Sequence, residues 1–249
     1  MTETITVRVR AFAALREALG TGETTLTLPA GMDVAGLVTT LAARYPDARL
    51  PARRFTVAVN RAYAPPDRVL ADGDEVGLIP PVSGGSGDAV AGESRAFEIT
   101  DRPISLDEVA GRVAAPDRGG ITLFAGTVRG VTASKDGQPG TFATDYLEYE
   151  AYPEMAEASL ASIAAEAQAR WPAIGAVAIV HRVPRLEVGD ISVALAVSAA
   201  HRADTFDACH YIIDRIKQIA PIWKREVGQD GALWVEGPES LAGQRTDAP

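Results

Sequence analysis

Residues 72–85 read DGDEVGLIPPVSGG: a turn, a short apolar run, and then the glycine pair Gly84-Gly85. Asp72-Gly73 is turn chemistry. The VGLI that follows is bounded and apolar, as a buried strand is. That strand leads almost directly into a tail without side chains, slim enough to thread a narrow tunnel. The bland alternative is that these glycines only open a linker, since Gly87 and Gly92 come soon after. What precedes the pair bears on that choice.

Working back toward the N-terminus, ITVRVRA near 4–10 alternates apolar and polar residues, which predicts a strand. FAALREALG has helical spacing and a glycine stop at Gly20. A second strand is expected at 24–29. Asp33 is a suitable N-cap for a helix that Pro46 closes. FTVAVN, near 55–60, reads as a third strand. Strand, short helix, strand, helix and further strands in about eighty residues is the order of a β-grasp, the ubiquitin-like fold. A β-grasp unit whose last strand runs into Gly-Gly is how ubiquitin-like carriers end, with the terminal carboxylate activated and loaded.

Working forward, residues 86–96 are small, polar and glycine-rich, a flexible linker spanning on the order of 20 Å as a coil. A second unit is expected over 97–240, and 241–249 as a frayed, disordered tail. In the second unit Ser105 and Glu108 have capping-box spacing. ITLFAGTVRG reads as a buried strand ending at Arg129-Gly130, and 131–142 as a polar loop. TDYLEYEAY is a strand, and Pro153 opens a long amphipathic helix. GAVAIVHRV and DISVALAVSAA are further strands. A helix over about 203–220 must stop at Pro221, and PIWKREV, GQDG and ALWVE form a hairpin. With no repeat and no clean βαβ alternation, both units are expected to be α+β.

The 249 residues suit two domains, and their formal net charge of -9 argues against nucleic acid and anionic membrane as main partners. The lone cysteine, Cys209, cannot form an intrachain disulfide, which suits a reducing cytoplasm. No apolar run is long enough to span a bilayer. Of 24 basic residues only Lys135, Lys217 and Lys224 are lysine. Arginine stays charged, whereas a partly buried lysine can supply a neutral amine. Lys135 sits in a polar loop, while Lys217 and Lys224 lie in an apolar, aromatic region where Trp223 could desolvate its neighbour.

Other basic residues fall at element ends, where ligands bind: Arg129, His181-Arg182, and His201-Arg202 at a helix entry suited to phosphate. Each arginine taken alone is more often a solvated surface residue, and His181 a satisfied strand-end histidine. Cys209 and His210 read as packing residues. Three histidines and one cysteine without ligand spacing predict no metal site.

The segments FAGTVRG, LEYEAYPEMAEASL, AIVHRVPRLEVGD, SAAHRADTFDACHYIIDRIKQIAPIWKRE and WVEGPES resemble the large, catalytic subunit of molybdopterin synthase. Residues 4–85 resemble its small, sulfur-carrier subunit. The resemblance implies a β-grasp unit joined to an α/β-hammerhead-like unit. It implies a thiocarboxylate on Gly85 of the Gly84-Gly85 tail, formed by an adenylating and sulfurating enzyme. It implies sulfur delivery to cyclic pyranopterin monophosphate, making the dithiolene of molybdopterin for molybdenum cofactor biosynthesis, with no bound cofactor.

By motif position Lys217 and Lys224 match the family's essential lysines. The resemblance implies that Arg129, His201, Arg202 and Lys224 are substrate-pocket residues and that the second unit forms a homodimer. The chain departs from the pattern at Gly237-Pro238, where a basic residue is common, and at Pro184, where a glycine is common. The fusion raises a chemical problem of its own. An uncut chain has an amide at Gly85, so a thiocarboxylate requires cleavage there. A non-catalytic adaptor or an inactive precursor is the alternative. Which lysine does what, and whether the tail is used in cis or in trans, stay open.

Overall fold

The computed structural model describes residues 3–81, 96–133, 141–228 and 231–235. Gly84, Gly85, nearly all of the linker, Lys135, Gly237-Pro238 and the tail lie outside the described residues.

The first unit follows from its hydrophobic alternation. Strand β1 (Thr4–Ala11) buries Ile5, Val7, Val9 and Ala11 and exposes most of the residues between them. It pairs antiparallel with β2 (Glu23–Pro29) through helix α1 (Ala13–Leu19). Gly20 ends α1 at φ 69, a left-handed cap for which glycine carries no Cβ penalty. Asp33 accepts a hydrogen bond from the Gly36 N–H and starts helix α2 (Val34–Arg44). Two single-turn 3-10 helices follow, then β3 (Thr56–Val59), β4 (Ala62–Ala64) and β5 (Glu75–Ile79). The sheet order is β2-β1-β5-β3-β4, with β1 and β5 parallel. Both helices pack on one face around Leu15, Leu37, Leu41 and Leu78. Each fully buried leucine contributes roughly 1.5–3 kcal/mol.

The second unit begins with β6 (Phe97–Thr100) and helix α3 (Leu106–Gly111), capped by Ser105 accepting from the Glu108 N–H. Strand β7 (Gly120–Thr127) stops two residues before Arg129. The loop expected at 131–142 instead carries a hairpin of β8 (Val131–Ala133) and β9 (Thr141–Ala143). Strand β10 (Tyr146–Ala151) leads into α4 (Pro153–Arg170), with proline in the first turn, where its missing N–H is harmless. Then come β11 (Ile174–Arg182), β12 (Arg185–Glu187), β13 (Ile191–Ala199), α5 (Ala203–Ile219), β14 (Ile222–Gly228) and β15 (Gly231–Val235). The Val183–Pro184 bond is cis.

Two four-stranded sheets result, β6-β11-β13-β7 and β12-β10-β14-β15. Helices α4 and α5 cover the first through Leu160, Ile163, Leu195, Val197, Ile212 and Ile216. Apolar residues, alanines as well as valines and isoleucines, dominate β11 and β13 because both faces are covered, by α4 and α5 on one side and by α3 on the other.

The two units touch. Phe12 stacks on Tyr152 at 4.9 Å and on Trp223 at 5.3 Å, and Ala13, Ala58, Ile79 and Met155 complete the patch. Gly77 admits Tyr152, since a Cβ there would lie 3.1 Å from the ring. Polar groups surround this patch. The Ala13 N–H donates to Glu150 at 3.1 Å, Arg16 pairs with Glu150 at 3.2 Å, and Arg225 pairs with Glu17 at 3.3 Å. The Tyr152 hydroxyl donates to Glu75, which Arg8 and Arg10 also hold. Burial raises the Glu75 carboxyl, but that hydroxyl and those guanidiniums outweigh it and leave it below its ordinary value.

Candidate active site

Three elements carry the expected site residues, and α5 decides their grouping. Residues 200–202 turn the chain back at once after β13, so α5 runs antiparallel to that strand. A 2.6 Å hydrogen bond between the Thr122 and Thr205 hydroxyls fixes the helix start beside the beginning of β7. His201 and Arg202 are exposed there, with Arg202 at the N-cap and no side-chain cap on the helix. Lys217 is exposed in the last turn. At 1.5 Å per residue, Arg202 and Lys217 are about 22 Å apart along the axis.

Arg129, just past the end of β7, is exposed at the same end of the layer as Lys217, because Thr127 pairs with Ile191 at the start of β13. Lys224 on β14 belongs to this end as well. It pairs with Tyr149, whose ring touches His181, and His181 pairs with Val193 near the start of β13. Within one chain, then, Arg129, Lys217 and Lys224 share one end of the fold, and His201 and Arg202 occupy the other. The single basic cluster expected from sequence divides in two.

Strand periodicity settles the surroundings of Lys224. Neighbours on β14 point to opposite faces. Trp223 faces the first unit and stacks on Phe12. Lys224 faces the other way and pairs with Glu226 at 3.2 Å, with side chains 19% and 11% exposed. Of the two readings of Trp223, a desolvating neighbour of Lys224 or core, the structure shows core. Glu226 is a residue that meets the amine, which alternation along WKRE could have revealed.

His181 and Arg182 do not join the site as cations. Burial pushes the His181 imidazole down to about 4, and its Nδ1 lies 3.1 Å from the Arg182 carbonyl oxygen. Arg182 pairs with Asp190 at 3.1 Å. Cys209 is buried, its thiol pushed up to about 11 by burial, in keeping with a packing role. His210, expected to pack, is exposed and lies 3.2 Å from Asp214 one turn on, because it falls on the outer face of α5. Among the described residues no group of three His, Cys, Asp or Glu side chains could hold a metal ion, and no helix is long and apolar enough to cross a membrane.

This end of the fold carries two lysines and an arginine, the charge an anionic ligand needs, beside a docked partner unit. Comparison with known proteins gives that arrangement a context. A molybdopterin synthase catalytic subunit from Halalkalibacterium halodurans is 49% identical over 142 residues, 57% of this chain and 86% of that protein. The chain belongs to the molybdopterin synthase family. The family model described as MoaE protein matches residues 99–219, and that of the ThiS family matches 9–85. The Bacillus subtilis catalytic subunit is 44% identical over 139 residues, 56% of this chain and 83% of that one. The crystal structure of molybdopterin synthase from Staphylococcus aureus superposes with a TM-score of 0.51 at 40% identity, over 57% of this chain and 98% of that one. Family membership makes the chain a sulfur-transferring enzyme, with a ubiquitin-like unit and an α+β catalytic unit in one polypeptide.

Proposed function

We propose that the chain makes the molybdopterin dithiolene by transferring sulfur from a thiocarboxylate on Gly85 to cyclic pyranopterin monophosphate. The carrier unit is 1–85, the linker 86–96, and the catalytic unit, an α/β hammerhead, 97–240. One observation carries the reading. Ile79, the last residue of β5, is seated in the same patch as Trp223, the residue before Lys224. Gly85 lies six positions beyond Ile79, a reach of at most about 20 Å. A tail that starts beside Trp223 with that reach is the basis for directing Gly85 toward Lys224 and Lys217.

In this reading Lys217 meets the incoming thiocarboxyl carbon or handles protons there. Lys224 and Arg129 stabilise the charge that develops as the C–S bond breaks. His201 and Arg202, with the N–H groups that open α5, suit the substrate phosphate. Since these last two sit about 22 Å from Lys217 in one chain, the site is completed by the α5 start of a second copy, which supports the homodimer. An adenylating and sulfurating enzyme must load Gly85 after cleavage at that residue. The cytoplasm, where such enzymes and substrates meet, is the proposed location.

The test uses the full chain, expressed in a host able to sulfurate it and then mixed with cyclic pyranopterin monophosphate. Wild type forms the dithiolene product, and Lys217→Ala loses that activity at least about a hundredfold. Full activity in Lys217→Ala would remove its assigned role. No product from a sulfur-loaded wild type would remove the function.

A further inference from the structure

Tyr149 lies directly across the β10–β14 ladder from Lys224. Residues paired in this way face the same side, with Cβ atoms about 4.5–5.5 Å apart. The phenol ring and the lysine stem are thus neighbours, and the amine pairs with Glu226 at 3.2 Å. Tyr149 is itself held from several directions. His181 meets its ring edge-on, centroid to centroid 4.8 Å at 71°. Its ring packs on Val128, Leu147 and Leu186, and Val128 immediately precedes Arg129. Its N–H donates to the Pro184 carbonyl oxygen, so the turn that departs from the family pattern backs this residue.

The buried His181 contributes shape without charge, and the neighbouring Arg182 is engaged by Asp190. A cation in the position of His181 would repel Lys224, whereas a neutral ring leaves the Lys224–Glu226 pair undisturbed.

We propose that Tyr149 is a positioning residue for Lys224, its ring braced by the imidazole of His181 and forming the wall that keeps the lysine stem in one conformation. This rests on the assignment of Lys224 to sulfur transfer. A lysine stem has several rotatable bonds, and restricting them before substrate arrives is preorganisation, which favours the transition state over the ground state. The ring supplies the wall, so its plane is what restricts the lysine stem.

The experiment compares single-turnover rate and half-saturating substrate concentration in full chains loaded with sulfur. Tyr149→Phe is expected to keep the wild-type rate. Tyr149→Leu keeps an apolar side chain but no flat ring, and is expected to lower the rate about ten- to hundredfold, with half-saturation changed less than about threefold. Ile163→Ala, in the core under α4 and α5 and outside the cluster around Tyr149, is expected to lower the melting temperature and keep the rate. A wild-type rate in Tyr149→Leu overturns the proposal. So does an equal loss of rate in Ile163→Ala, which would make general packing the cause. An inactive wild type tests the proposed function instead, and is read separately.

Discussion

Phe12→Ala isolates the contact between the two units. Phe12 is 4% exposed, and its neighbours are Tyr152 and Trp223 of the other unit, with the Arg10 guanidinium 5.3 Å from its ring centre. It belongs to the patch between units rather than to the core around Leu37 and Leu41. Truncating a buried phenylalanine costs about 3–5 kcal/mol, of which each aromatic pair accounts for roughly 0.5–1.5. At 1.4 kcal/mol per factor of ten, the undocked population should rise by about two to three and a half powers of ten.

Amide hydrogen exchange on the full chain reads this directly. The Ala13 N–H donates across the interface to Glu150, while the β1 amides are held within the first unit by β2. The variant should exchange faster at Ala13 and around 150–155, with β1 and β2 unchanged. Equal acceleration throughout β1 and β2 would refute the assignment of Phe12 to docking and make it a folding residue of the first unit. No change anywhere would mean that the units do not dock in solution.

Docking should also weaken as pH rises, through Glu150. Burial raises its carboxyl, against Arg16 and the Ala13 N–H, with Glu17 pushing in the same direction as burial. A group raised on docking contributes fully below its ordinary value, near 4.5, and loses that contribution as pH climbs through the raised value. Glu150→Gln should flatten this slope in Ala13 exchange, and an unchanged slope would assign it to another group. Arg202→Ala should raise the half-saturating concentration of the pterin about ten- to hundredfold, the worth of a charged hydrogen bond to phosphate, and spare the single-turnover rate. A lost rate with unchanged half-saturation would move Arg202 from binding to chemistry.

Much of the fold was legible because its signals are local. Alternation marked β1, the Asp33 cap marked α2, and Pro221 fixed the end of α5. Three-residue strands such as β4 and β12 are too short to show a period, and β8–β9 was hidden by polar composition. What the sequence could not show was how the candidate residues group in space. Lys217 and Arg202 are close in sequence and far apart in space because a helix lies between them. Trp223 and Lys224 are adjacent in sequence and lie on opposite faces because a strand carries them. Both facts follow from periodicity once the elements are known.

The docking patch had no local signal. Phe12, Tyr152 and Trp223 lie far apart in the sequence, and only the tertiary structure shows Tyr152 and Trp223 stacked on Phe12. Tyr149 escaped notice for the same reason, since its meaning depends on the register that sets it opposite Lys224.

In the proposed function Gly84-Gly85 is the chemical pivot. The sequence continues past that pair into the catalytic unit, whereas the proposed thiocarboxylate requires Gly85 to end in a free carboxyl group. Intact-mass spectrometry of the protein from cells actively making molybdopterin addresses this most directly. The account predicts a piece ending at Gly85, part of it with one oxygen replaced by sulfur, together with the remaining catalytic piece. Full-length chain alone, in a preparation that still makes the dithiolene, would contradict it.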